Sequence, residues 1–344
     1  MPSRQVPPVR PAPIRPQRGR WSDARAFAAL DLGTNNCRLL IARPQGDGFA
    51  VIDAFSRIVR LGEGLAATGN LSDAAIERTI AALRVCADKL RRRNVTLARS
   101  VATEACRRAA NGEAFIARAL AETGIHLDII SAEEEARLAV IGCHALIEPG
   151  DDPAVIFDIG GGSTELVLVD TTGGGMPRGL DWHSAPWGVV SLTESAGAGA
   201  DAPGGEAGRL AAYARMRALV ADSMAGFAAR LPRGVGRPRL LGTSGTVTTL
   251  GSVHLALSHY DRARVDGLIV PAPAMRRISA DLSRMSIAER AKLPCIGGER
   301  ADLVVAGCAI LETIMDLWPA ERIGIADRGI REGILRRLMG TPRP

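Results

Sequence analysis

The first regular pattern along the chain begins near Phe27. The segments AFAALDL, CRLLIARP and FAVIDAFSRIVRL are rich in aliphatic and β-branched residues and are separated by Gly-containing turns, which predicts three successive strands. The period then lengthens to that of a helix. Ser72 fits an N-cap, Leu71 and Ile76 fit a hydrophobic staple, and apolar residues recur at helical spacing through Leu90. A strand through RSVATEA, a helix over 111–123, a strand LDII and a helix over 132–147 are expected next. After Pro153, AVIFDIGG and STELVLVD predict two more strands, followed by a glycine turn at 173–175 and an extended stretch through WGVVSLTE. A Gly/Ala-rich loop over 195–209 and a long helix to about Arg230 come after it. LLGTSGTVTTL sets a third glycine turn between a strand ending at Leu241 and a helix from near Thr246. The chain closes with a helix over 300–317, a strand RIGIAD and a helix from about Ile330.

This order contains an internal repeat. Aligning DLGTNNCRLLI from Asp31 with DIGGGSTELVL from Asp158 keeps Asp, Gly and Leu at matching offsets, with aliphatic residues after both. Two similar α/β halves leave a cleft between them, and such clefts are favoured ligand sites. The expected division is a Pro/Arg-rich disordered tail over 1–25, a first domain over 26–143, a second over 144–328, and a terminal helix in 329–344 packing back on the first.

Composition narrows the chemistry. The net charge of +6 invites a polyanion reading, but residues 1–25 hold six arginines against Asp23, which leaves +1 for the remainder. Lys89 and Lys292 are the only lysines, so no GxxxxGK[ST] phosphate loop exists. The six cysteines lack CxxC spacing and are expected to be reduced and mostly buried, and the five histidines show no HExxH or His-Asp pairing. No apolar run is long enough for a bilayer span and the start has no apolar leader, so a cytoplasmic protein without membrane or specific nucleic-acid partners is expected.

Candidate chemistry lies in the turns. DLGTN joins two strands tightly, and the backbone amides of such a turn can hold phosphate oxygens, with Asp31 at the strand end placed to bind a metal or its water. An aspartate satisfying turn amides is equally common. In DIGGGSTE three glycines admit close approach of an anion, and Ser163 and Thr164 add hydroxyl donors. A lone GGG is usually a flexible turn; its recurrence in the repeat raises its significance. In the acidic run 133–135, Ser131 as N-cap gives Glu134 the capping-box position and Glu133 a place favourable to the helix dipole. Glu135 has neither role and is left to face a cleft, where a carboxylate can take a proton from an attacking water. Arg60 and Arg107 follow strands and could clamp phosphate, although ion-paired arginines are commoner in so arginine-rich a chain. GTSGT at 242–246 reads either as an anion site at a helix N-terminus or as a capped turn.

Together, ALDLGTNNCRLLIAR, RIVRLGEGL, ATEACRRAANG, IISAEEEARL, VIFDIGGGSTELVLV, GTSGT, ERAD and REGIL resemble the exopolyphosphatase and guanosine pentaphosphatase (Ppx/GppA) family over most of residues 27–340. The resemblance implies two actin-like (ribonuclease H-like, ASKHA) α/β domains flanking a cleft. It implies hydrolysis of the terminal phosphoanhydride of inorganic polyphosphate, or of the alarmone pppGpp, with Glu135 as general base. Phosphate is then held by Gly33, Thr34, Asn35, Asn36, Arg60, Arg107, Gly160, Gly161, Gly162, Ser163 and Thr164. Asp31, Asp158 and Glu165 are implied to position Mg²⁺, with K⁺ a further candidate ion, and a homodimer is a candidate assembly. A polyanion sensor without turnover and a sugar or acetate kinase of the same superfamily are the rival readings. Two features depart from the usual pattern. Glu104 stands where the family's T-S-A-x-R has a small hydroxyl, and the length matches the short members without a C-terminal helical extension.

Overall fold

The computed structural model describes residues 25–173, 175–197, 203–230 and 238–340. Residues 1–24 of the expected tail, Gly174 of the glycine turn and residues 198–202 of the Gly/Ala-rich loop lie outside them.

The first half opens with β1 (Ala26–Leu32), β2 (Asn36–Gln45) and β3 (Gly48–Ile58), then α1 (Leu65–Thr68), α2 (Asp73–Arg92), β4 (Val95–Ala102), α3 (Glu104–Arg108), α4 (Gly112–Thr123), β5 (Asp128–Ile129) and α5 (Ala132–Cys143). The second runs through β6 (Ala154–Ile159), β7 (Thr164–Asp170), β8 (Arg178–Ala185), α6 (Val189–Ser195), α7 (Gly205–Ala228), β9 (Arg239–Thr243), α8 (Ser244–His254), α9 (Arg262–Val265), β10 (Ile269–Pro271), α10 (Ala272–Arg284), α11 (Ile287–Ala291), α12 (Val304–Leu317), β11 (Arg322–Ala326) and α13 (Ile330–Leu338). The sheet orders are β3-β2-β1-β4-β5 and β10-β11-β9-β6-β7-β8. In both, a three-stranded antiparallel meander is extended by two parallel strands on the side of its first strand, and the second sheet adds β10 antiparallel to β11 at its edge. The duplication read from the sequence is therefore a duplication of topology.

Most elements follow from local chemistry. The Ser72 hydroxyl accepts from the Ala75 amide at 3.3 Å, and Leu71 and Ile76 are both buried in one cluster. β6 and β7 are buried along nearly their whole length, as strands covered on two faces should be. Four expectations need correction. VVSLTES is a helix rather than an extended stretch, because the Gly188 amide is capped by the Ser191 hydroxyl at 2.9 Å and the Val189 and Val190 amides bond to the Gly160 and Gly161 carbonyls. The long helix starts at Gly205, inside the segment expected to be a loop. The strand expected through RSVATEA ends at Ala102, and Glu104 already begins α3. Finally, α5 gives way to a single 3₁₀ turn at His144–Leu146.

The helices α5 and α13 join the halves. One side of α5, with Leu138 and Ala139, packs with Ile330, Ile334 and Leu335 of α13 against Phe27, Ala29 and Leu40 of the first sheet. Its other side, with Ala136, Val140 and Cys143, packs on Ile156, Val167 and Leu241 of the second. The two helices cross at glycines: a Cβ on Gly333 would overlap the Leu138 carbonyl, and one on Gly142 would overlap the Gly329 carbonyl. Gly333→Ala is expected to cost about 1–3 kcal/mol through this overpacking, read as a fall in thermal midpoint. In the exposed helical position Gly226, where a Cβ meets nothing within 4 Å, alanine should instead stabilise by about 0.5–1 kcal/mol.

Candidate active site

The turn between β1 and β2 and the turn between β6 and β7 meet face to face at the mouth of the cleft. A Cβ on Gly161 would lie 2.9 Å from Cβ of Thr34 and 3.0 Å from the Asn35 amide, and one on Gly162 would lie 2.7 Å from Oγ1 of Thr34. The RLGEG segment holds the first turn from behind: the Asn35 carbonyl accepts from the Val59 and Arg60 amides, and the Thr34 carbonyl from that of Gly62. Each turn closes on itself, Gly33 donating to the Asn36 carbonyl and Gly160 to that of Ser163. Among the described residues, the amides of Thr34, Asn35, Gly161, Gly162 and Ser163 enter no other backbone bond. Oγ1 of Thr34 and Oδ1 of Asn35 are buried without a hydrogen-bond partner in residues only 5% and 8% exposed. Buried polar atoms are rarely left so unless a ligand completes them.

The cleft is lined by Asp31, Gly33, Thr34, Asn35, Asn36, Glu135, Asp158 and Gly160–Ser163, all anticipated from the sequence. Ser131 caps α5 by accepting from the Glu134 amide at 3.1 Å. The Glu134 side chain does not return to the cap. It pairs with Arg99, Arg137 and Arg337 instead, while Glu133 is exposed and Glu135 is only 7% exposed at the cleft wall.

Carboxylates crowd this place. Asp31 lies opposite Arg38 across the first hairpin, and Asp158 opposite Glu165 across the second. Burial and the nearby Asp31 push Asp158 up to about 6, and burial, with Asp158 adding to it, pushes Glu165 up to about 7. Glu135 is raised well above the ordinary carboxylate range by burial and by Glu165, although Arg107 opposes the shift. Asp31 is raised by burial, with Arg38 and Arg331 opposing. Ser244, whose side chain bonds to Asp158, sits at φ 80 as the first residue of α8, a strained backbone of the kind found at functional sites.

Four anticipated residues stand outside the lining. Arg60 spans to the other half, pairing with Asp302 at 2.8 Å and with the Glu299 carbonyl at 3.3 Å. Arg107 lies behind Glu135, giving Nη1 to the Ile130 carbonyl at 2.7 Å and to Glu135 at 3.3 Å, and Nη2 to Glu104. Thr164 donates to the Trp187 carbonyl at 2.6 Å. Glu165 accepts from Ser163 at 2.7 Å and from Ser184 at 3.0 Å, 2% exposed. In their stead the cleft presents Arg38 and Arg331, neither of which makes a hydrogen bond or ion pair with a described residue. Arg38 could have been noticed as a lone charge inside the apolar run CRLLIA. Arg331 lay in REGIL without an assigned role.

Of the three carboxylates associated with Mg²⁺, Asp31 and Asp158 fit such an ion. They are recessed, mutually repelling and open to the phosphate turns, and Mg²⁺ commonly takes one or two carboxylates together with substrate oxygens and water. Glu165 takes two hydroxyls, those of Ser163 and Ser184, on Oε1 alone, and among the described residues no three acidic, His or Cys side chains form a metal-holding group. The same crowding has a pH signature. A carboxyl whose folded pKa is raised binds more protons folded than unfolded between the two values, so stability grows as pH falls through the folded value. Of the opposite shifts, Asp53, lowered to about 2, loses its contribution only well below this window, while His144, lowered by burial, offsets part of the gain within it. The ligand-free protein is therefore expected to gain thermal stability from pH 8 to pH 5.5. Asp158→Asn should be more stable than wild type at pH 8, by on the order of 2 kcal/mol, with a flatter pH profile.

Comparison with known proteins agrees with this geometry. The chain is 31% identical over 327 residues to exopolyphosphatase 2 of Mycobacterium tuberculosis, covering 91% of this chain and 98% of the relative. It is 28% identical over 315 residues to guanosine-5'-triphosphate,3'-diphosphate pyrophosphatase of Aeromonas hydrophila, covering 92% of this chain and 60% of that longer protein. A crystal structure of a Ppx/GppA family member from Aquifex aeolicus superposes with a TM-score of 0.74 at 26% identity, over 93% of this chain and 99% of the other. An exopolyphosphatase-like protein gives 0.80 at 27% identity, over 91% and 99%. These neighbours carry the actin-like fold that the two sheets display. The Ppx/GppA phosphatase family model matches residues 40–341, and the chain belongs to that family.

Proposed function

We propose that this protein is a phosphoanhydride hydrolase that removes the terminal phosphate of inorganic polyphosphate as orthophosphate. The observation that carries this reading is Glu135, a buried carboxylate with an upward-shifted pKa in the wall of a cleft formed by two facing phosphate-type turns. The relatives named exopolyphosphatase and pyrophosphatase support the substrate class.

In this reading the terminal phosphate rests on the free amides of Thr34, Asn35, Gly161, Gly162 and Ser163, and Arg38 and Arg331 offset its charge. The Thr34 hydroxyl, without a partner in the ligand-free cleft, donates to a phosphate oxygen. Glu135 takes the proton of a water aimed in line at phosphorus, and Arg107 behind it keeps the carboxylate oriented and favours its ionised form. Asp31 and Asp158 would hold Mg²⁺, whose chemistry is to neutralise charge on the phosphate oxygens.

One observation favours pppGpp as a second substrate. A second chamber shares Asn35, Asn36, Arg38, Gly160, Gly161 and Ser244 with the cleft and adds an apolar wall of Ile159, Val189, Leu303 and Val304 beside Thr249 and Arg300. Apolar walls with a few polar groups suit a nucleoside better than a bare phosphate chain. The test is phosphate release from polyphosphate and from pppGpp with Mg²⁺. Glu135→Gln is expected to lower kcat about 10²- to 10⁴-fold with little change in KM. Wild-type turnover in that variant would remove Glu135 from the mechanism, and binding without turnover in wild type would leave a sensor.

A further inference from the structure

Glu104 is the residue at which the chain departs from its family pattern, and the structure gives it a definite task. The Thr103 amide donates to the Leu32 carbonyl at 3.1 Å, which ties the start of α3 to the end of β1 beside the first turn. Glu104 lines the cleft, and a Cβ on Gly162 would lie 2.9 Å from its Cγ, so its stem rests against the second turn. The side chain is 14% exposed. Its Oε2 accepts from Nη2 of Arg107, and its Oε1 lies 3.7 Å from Nε of Arg108. With Nη1 on Ile130 and Glu135, the Arg107 guanidinium is engaged at both ends. A phosphate on Arg107 would use the same N–H groups that now hold Glu104, because carboxylate and phosphate oxygens compete for one planar fork.

We infer that Glu104 is an internal stand-in for a substrate phosphate on Arg107, and so a specificity-determining residue that sets how tightly the cleft holds polyanions. The inference rests on the phosphoanhydride reading of the cleft. Glu104 acts twice: it offsets one of the few cations near the site, and it places a negative charge where an anion must arrive. Both effects weaken binding of the substrate and of the orthophosphate product together. Glu135 is held by Nη1 of Arg107 and Glu104 by Nη2, so the contact that orients Glu135 does not itself need Glu104. Arg108, with a 44% exposed side chain, gives the displaced carboxylate a second partner within reach. A purely structural Glu104, favouring the N-terminus of α3 and pairing with Arg107 three residues on, would alter stability and leave anion affinity where it is.

Glu104→Gln keeps the length and removes the charge. Initial rates on tripolyphosphate are expected to show KM lowered about 5- to 10-fold with kcat within about twofold, as one removed like-charge contact is worth roughly 1 kcal/mol. Without any substrate, the rise in thermal midpoint produced by orthophosphate should be larger in this variant than in wild type. In an Arg107→Gln background the gain should shrink to what the removed like charge alone supplies. An unchanged KM, a fall in kcat at constant KM, or a gain undiminished without Arg107 each overturns the inference. Absence of turnover in the wild-type protein would defeat the hydrolase reading instead, and the orthophosphate shift would still decide the role of Glu104.

Discussion

The close approach of two backbone turns governs this molecule. Gly161 and Gly162 lie against Thr34 and Asn35 with no space for a Cβ, Gly188 lies against Gly161 and Gly162, and Gly62 lies against Thr34. Interiors this tightly packed transmit strain, so a methyl group at any of these positions would push apart the surfaces that hold the free amides. The first turn is fixed by RLGEG, and the second by α6, whose first two amides bond to Gly160 and Gly161. Segments that neighbour neither turn in sequence thus determine where five donors point.

Electrostatics explains what that geometry is for. Asp31, Glu135, Asp158 and Glu165 are all shifted upward, so each makes the ligand-free fold less favourable at neutral pH. A cluster that costs stability is a sign of a site shaped for something other than folding. The arginines divide the same way. Arg60 and Arg107 have carboxylate partners, whereas Arg38 and Arg331 face the cleft with none among the described residues. Burial and the proximity of Arg331 press the Arg38 guanidinium below its usual pKa, a penalty that an arriving anion reverses.

Much of this was written locally in the sequence. Hairpins around DLGTN and DIGGG and the Ser72 and Ser131 caps are each visible in a short run of consecutive residues, the repeat in two such runs set side by side, and helix phase was enough to separate Glu135 from Glu133 and Glu134. What was not legible depends on partners distant in the chain. Whether Arg60 is a phosphate ligand or a bridge turns on Asp302, and the charges around Arg38 include Arg331, Asp158 and Asp327 of the second half as well as Asp31. VVSLTES looked extended because β-branched residues favour strands, yet the Gly160 and Gly161 carbonyls needed donors and a helix start supplied them. Arg331 was given no role although the return of the last helix to the first domain was expected, because its place beside Asp31 depends on where that helix starts.

That return also fixes how the halves can separate. On one side of the cleft α5 and α13 cross at Gly142 and Gly333 and bury apolar side chains against both sheets, which is continuous, close-packed contact. On the other side the described polar bridges include Arg60 with Asp302 and the Gly64 amide with Glu194, the former between side chains 33% and 18% exposed. Partly exposed ion pairs are worth about 0–1 kcal/mol, far less than the packed helix crossing. Arg331 stands at the start of α13, beside that crossing and close enough to Asp31 to oppose its upward shift, so the packing that joins the halves also holds this cation in the cleft.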